Sequence, residues 1–267
     1  NIAKAQKEYD NSIEKLSTGV RFTRSEPMPT ERAQSDNLIA KMRELNVYKR
    51  NTNEGLSITE SADSSLSALS NNMIRMKELV AQSTNPSLSD KERGFLFIEY
   101  HANYEDAVKT SSTARQMGKQ MFSSDEDTEY QGVGRGNGFS TNSIHVRVSA
   151  PKISEGKDLG LVSIDELDKV KTHPNDLGIK SAEKLANSPD GVSIDDVLDN
   201  FNVSNEKELG ASFDDAHSQI SSFRAKFGAA TSRLTSALNT INVAYENTAS
   251  ANSRIRDVDY ATEITCI

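Results

Sequence analysis

The sequence predicts a mainly α-helical protein, an elongated antiparallel bundle or coiled coil of about three long helices with a β-hairpin and a small mixed insert. Three observations carry this expectation. Apolar residues recur at alternating steps of three and four near both ends of the chain. Most of the glycine and proline falls between those ends. The composition is lean, with 35% apolar residues, 6% aromatic residues and no Trp in 267 residues. That suits thin rods with narrow seams better than a wide globular core.

Residues 31–83 contain no Pro and a single Gly, Gly55. Leu38, Met42 and Leu45, then Leu66, Leu69, Met73, Met76 and Val80, fall on one stripe of a long helix. The intervening "KRNTNEGLSITESADSS" is polar, so a helix crossing it must lean on a neighbour. "NPSLSDKERG" at 85–94 reads as a break and restart. Pro86 ends one helix, and Ser89 with Glu92 forms a capping box for the next. That second helix is expected to run to about Ala114, with Phe95, Ile98, Ala102 and Val108 facing inward.

Residues 123–150 change character. A Gly-rich polar run leads into "IHVRV", whose period-two alternation predicts a β-hairpin. Residues 151–204 read as a small mixed insert with short apolar clusters. From about 205 to 262 the helical period returns through Ile220, Phe223, Phe227, Ala230, Leu234, Leu238, Ile241 and Tyr245. The chain therefore divides into an N-terminal rod (1–122), a hairpin and insert (123–204) and a C-terminal rod (205–267) that lies back along the first.

Several function classes find no support. The net charge is −8 and the pI about 5.2, against a basic nucleic-acid face. No run approaches the roughly 18 apolar residues of a membrane span. Cys266 is the only cysteine, so an intrachain disulfide is impossible. The chain opens on Asn1 and displays no charged-then-apolar leader. His101, His145, His173 and His217 are scattered without metal-ligand spacing. "SDEDTE" at 124–129 lacks the glycine and distal glutamate of a calcium loop. "GVGRGNG" at 132–138 precedes a strand rather than a helix, the wrong context for a phosphate cradle. Met42, Met73 and Met76 lie on the helical stripe and are expected in the core. No nucleophile motif is present, so neither an active site nor a cofactor is expected.

"SANSRIRDVDYATEIT" at 250–265 reads as a charged helical end that buries little of itself. Arg254, Arg256, Asp257 and Asp259 are its candidates for contacts with another molecule. This stretch resembles the C-terminal signature of bacterial flagellins. "IEKLSTGVR" at 13–21 and "RNTNEGLSITESADSSLSALSNNMIRMKELVAQS" at 50–83 are similar to that family's N-terminal half, in the right order. The resemblance covers about residues 1–120 and 205–265. After Arg21 the chain departs from the family pattern, reading "FTRSEPMPTER", and "QMG" at 116–118 stands where the family has a phenylalanine-asparagine-glycine run.

The resemblance implies a structural subunit, exported by the flagellar type III apparatus and polymerised into the extracellular filament that drives swimming. Its partners would be other subunits, the flagellar cap, junction proteins, an export chaperone and a host Toll-like receptor, with no nucleic acid or membrane partner. The receptor face carried over from the family is Arg75, Leu79 and Gln82, with Glu99 on the next helix. The resemblance also implies that outermost helices of the family extend beyond this span, which on that account is expected to be monomeric. Three alternatives compete: a hook–filament junction protein, a peptidase carried in the insert, and a coiled-coil interaction module unrelated to motility.

Overall fold

The computed structural model describes residues 2–22, 28–113, 115–116, 119–120, 144–150, 153–154, 157–158, 160–164, 172–189, 191–201 and 206–264. Its helices are α1 (Ile2–Thr18), α2 (Pro29–Ser83), α3 (Asp90–Thr113), α4 (Glu183–Ala186), α5 (Ile194–Phe201), α6 (Glu206–Arg256) and α7 (Tyr260–Ile264). Short strands β1 (Arg115–Gln116) and β2 (Lys119–Gln120), β4 (Ile153–Ser154) and β5 (Lys157–Asp158), and β3 (Ile144–Arg147) and β6 (Leu161–Ile164) form three antiparallel pairs.

The frame is the pairing of α2 with α6. At about 1.5 Å per residue, 55 residues make α2 a rod of about 80 Å. Cross-links fix the direction. Ser35 donates to Asn252 (2.7 Å), Thr231 to Thr59 (3.0 Å), Arg224 to Asp63 (2.9 Å), and Ser70 meets His217 (3.1 Å). As the number rises along α2 it falls along α6, so the helices are antiparallel.

The seam of α2 runs through Thr52, Gly55, Thr59, Ala62, Leu66, Leu69, Met73, Met76, Val80 and Ser83, all buried, in steps of three and four. It faces Phe213, Ala216, Ile220, Phe223, Phe227, Ala230, Leu234 and Ile241 of α6. Leu38, Met42, Leu238 and Tyr245 are only half-buried, so the seam loosens toward the start of α2. The polar middle of α2 is crossed by small seam residues. The Thr52 and Thr59 hydroxyls return to backbone carbonyls of their own helix (Tyr48 O, 2.7 Å; Leu56 O, 2.9 Å), so the stretch buries no unsatisfied polar atom there.

The capping box forms as expected. The Ser89 N–H donates to the Glu92 carboxylate (2.9 Å) and Ser89 Oγ accepts from the Glu92 N–H (3.4 Å). The face of α3, however, reverses the expectation. Phe97, Tyr100, Tyr104 and Ala107 are buried, whereas Phe95 is 68% and Ile98 53% exposed and Ala102 is also exposed. Only Val108, partly buried against the core, behaves as read. The reason is that α3 carries two apolar stripes, and the larger aromatic one wins the core.

The insert joins that core. Leu177, Ile179, Ala182, Leu185, Val192, Val197 and Phe201 pack with the rods. Tyr100 stacks edge-on against Phe201 (5.7 Å) and Phe213 (6.5 Å), and its hydroxyl donates to Lys180 O (2.9 Å). A second capping box, Ser193 with Asp196, starts α5. Arg93, 2% exposed, ties the corner together. Its guanidinium donates to the carbonyls of Ser83 (2.6 Å), Leu88 (3.3 Å), Asn85 (3.3 Å) and Val192 (3.3 Å), and to the Asp90 carboxylate (3.2 Å). "IHVRV" supplies β3, which pairs with β6 in the register Val146↔Val162 and packs Val146 on α2. The "SDEDTE" and "GVGRGNG" runs lie outside the described residues.

Candidate subunit-contact surfaces

The C-terminal charged stretch is not one helix. α6 ends at Arg256, and an elbow of three residues leads into α7. Here the backbone joins the other end of the chain. Arg21 N–H donates to Arg256 O (2.7 Å), Val258 N–H donates to Gly19 O (3.1 Å), and Val20 bridges Asp257. Gly19 terminates α1 at a left-handed φ of 69°, and a Cβ there would meet the Tyr260 hydroxyl at 2.9 Å. Ser12 donates to Glu263 (2.7 Å) and Lys15 lies 3.7 Å from the same carboxylate. Val258 is buried at the turn.

This geometry separates the four charged candidates. Asp259 is committed within the chain as the N-cap of α7. It accepts from Ala261 N–H (3.0 Å), Thr262 N–H (3.3 Å) and the Thr262 hydroxyl (2.8 Å). Those donors, the Thr262 hydroxyl first, hold its carboxyl below the usual aspartate range. Arg254, Arg256 and Asp257 are exposed, and no ion pair joins them to any of the described residues. The elbow thus fixes its backbone while leaving three charges without an ion-pair partner among the described residues.

A second surface lies at the other end of α2. Arg75 reaches Glu99 through Nε (2.8 Å) and Nη2 (2.6 Å) and Glu78 through Nη1 (3.0 Å), with all three side chains about half-exposed. These carboxylates hold the guanidinium charged. Gln82 is exposed nearby. Leu79 departs from the face carried over for it. It is 1% exposed and sits in the core, because it flanks the α2 seam where α3 closes over it. The structure thus joins Arg75 and Glu99 directly and removes Leu79 from the surface.

A third surface is one that sequence reasoning missed by assigning it inward. Phe95 and Ile98 on α3, with Lys91 and Gly94, line a shallow groove of about 170 Å³ closed by Ala186, Ser188, Pro189 and Gly191. The signal was present as a second apolar stripe one step out of phase with the first. Arg93 was missed too, since an arginine inside a helix restart reads as solvated. Among the described residues, no group of three His, Cys, Asp or Glu side chains is arranged to hold a metal, and no helix is long and apolar enough to cross a membrane.

Comparison with known proteins gives two matches to family models. The bacterial flagellin N-terminal helical region matches residues 1–126 and the bacterial flagellin C-terminal helical region matches residues 211–267. Similar curated proteins include the polar flagellin C of Vibrio parahaemolyticus, 24% identical over 99% of this chain and 88% of that protein. The flagellin of Bacillus subtilis is 28% identical over 95% of this chain and 82% of its own length. The flagellin of Halalkalibacterium halodurans is 25% identical over 99% and 82%.

Proposed function

We propose, from the premise that this chain belongs to the bacterial flagellins and is a structural subunit of the extracellular flagellar filament, that the elbow at 254–259 is one of the surfaces through which subunits join. The observation that supports this is the contrast inside the elbow. Its backbone is pinned to α1 and the loop after it, yet Arg254, Arg256 and Asp257 have no partner among the described residues. Charges held in place by a fixed backbone lose little freedom on pairing with a neighbour, which lowers the entropic cost of the contact. Open heterologous contacts of this kind generate filaments rather than closed rings. Asp259 belongs instead to the fold of the subunit itself. The role is mechanical and non-catalytic, and the cap, junction proteins and export chaperone would meet the same subunit surfaces.

The test separates folding from assembly. Charge reversal at Arg254, Arg256 or Asp257 is expected to leave monomer melting unchanged, because exposed charges without partners contribute almost nothing to it. In the full-length protein, with the outermost helices of the family present, the same reversals should raise the critical concentration for filament growth by about tenfold or more, the scale of a lost charge pair across an interface. Assembly at the wild-type critical concentration refutes the reading. A host Toll-like receptor contact at the α2–α3 end would rest on Arg75, Glu99 and Gln82. Leu79 would support those residues from below without touching the receptor.

A further inference from the structure

We propose that a column of polar pairs between α2 and α6, headed by Ser35–Asn252, selects the register in which these two helices pack, a choice that the apolar seam leaves open to a slip of one heptad. The inference concerns the inside of one subunit, and only its consequence for assembly rests on the self-assembly reading.

The first argument is spacing. Asp63 lies 28 residues after Ser35 on α2, and its partner Arg224 lies 28 residues before Asn252 on α6. Ser70 follows Asp63 by seven, and its partner His217 precedes Arg224 by seven. The three pairs therefore occupy one heptad column on each helix. All three meet together in a single alignment.

The second argument is that the apolar seam is nearly indifferent to that alignment. Gly55 lies against Leu234. Steps of seven from this contact set Ala62 opposite Phe227, Leu69 opposite Ile220 and Met76 opposite Phe213, all buried. A slip of one heptad in one sense offers Ala62 to Leu234, Leu69 to Phe227 and Met76 to Ile220. The opposite slip offers Ala62 to Ile220 and Leu69 to Phe213. Apolar residues still face apolar residues. Burial is non-directional and follows area, so it separates these alignments poorly.

The polar column does separate them. The first slip sets Asn252 against Met42, Arg224 against Ser70 and His217 against Lys77. The second sets Asn252 against Met28 and Arg224 against Leu56. Ser35 is 2% and Asn252 9% exposed, so a slipped amide loses its partner while still buried. A made buried pair contributes little net stability, whereas an unmade one is costly. The column thus penalises the wrong registers more than it stabilises the right one. A heptad slip would displace the elbow by about 10 Å relative to the α2–α3 end. Subunits of two lengths cannot share one lattice, so a fixed register makes every copy interchangeable.

The test reads the register directly. In a Cys266→Ser background, Asn53→Cys and Ser218→Cys, both at exposed positions on opposite helices, carry spin labels for pulsed distance measurement on the monomer. The parent protein is expected to show one distance. The column variant replaces Ser35, Asp63 and Ser70 by Ala and Asn252, Arg224 and His217 by Leu. It is expected to melt no lower than the parent and to show a second distance displaced by about 10 Å. A single unchanged distance overturns the proposal and assigns the register to the α3 and insert contacts, which this variant retains. If the column variant fails to fold, Ser35→Ala with Asn252→Leu decides: the same second distance at lower amplitude supports the proposal, and one distance overturns it. Elbow reversals are scored separately by filament growth. A second distance with silent elbow reversals sinks the elbow reading alone, and a single distance with impaired growth sinks the register inference alone.

Discussion

Gly55→Ala should destabilise this protein although it replaces glycine by the best helix former in the middle of a long helix. On helix propensity alone the change is favourable by about 1 kcal/mol. The tertiary structure reverses the sign. A Cβ at residue 55 would stand 2.7 Å and 3.0 Å from the two methyl groups of Val146 and 3.3 Å from Leu234 Cδ1. Val146 is 4% exposed and Leu234 fully buried, so neither has room to retreat. Overpacking of that kind costs about 1–3 kcal/mol, leaving a net loss of up to about 2 kcal/mol. The same argument predicts the rescue. In a Val146→Ala background the clashing methyls are gone, and Gly55→Ala should stabilise by about 0.5–1 kcal/mol. The two substitutions should therefore couple by about 1–3 kcal/mol in a double-mutant cycle. Urea denaturation followed at 222 nm measures all four proteins. Stabilisation by Gly55→Ala in the wild-type background would refute the reasoning, because it would mean that the β3–β6 pair does not rest on α2 in solution.

Leu234→Ala, at the centre of the seam, should cost about 2–5 kcal/mol, and Leu238→Ala, half-buried one turn on, distinctly less; equal losses would show that the seam is misplaced. Arg93→Leu should cost about 3–5 kcal/mol, since it strips donors from four carbonyls, those of Ser83 and Val192 buried and those of Asn85 and Leu88 partly buried. Lysine, with one compact ammonium, should not rescue it, and amide exchange of Val192 should accelerate in both variants. The carboxylates of Glu92, Asp196 and Asp259 are each held below their ordinary range by hydroxyl and N–H donors of their caps. Their folded pKa values lie below the unfolded ones, so the contribution is complete above the unfolded value of about 4 and is lost as pH falls through the folded value. Fraying of the starts of α3, α5 and α7 on acidification, read by amide NMR, checks this; fraying as pH rises above neutrality would contradict it.

The two long helices, their seam residues and the restart at Ser89 are legible in the sequence because each is set by local rules. Side chains three and four apart share a face, and a hydroxyl three residues before a glutamate satisfies a helix end. The charged elbow was legible as a surface, but its division was not. Asp259 looks like its neighbours in the sequence and differs only because the chain breaks at Asp257 to pair with Val20. The face of α3 was decided by competition. Phe95 and Ile98 are as apolar as a core stripe needs, and Phe97, Tyr100 and Tyr104 displace them because Phe201, Phe213 and Lys180 O await those rings and hydroxyls. The burial of Arg93 likewise depends on carbonyls brought from residues 83 to 192. Periodicity states which residues can share a face. Which face meets which neighbour is an energy difference between packings of distant segments, and only the folded chain brings those segments together.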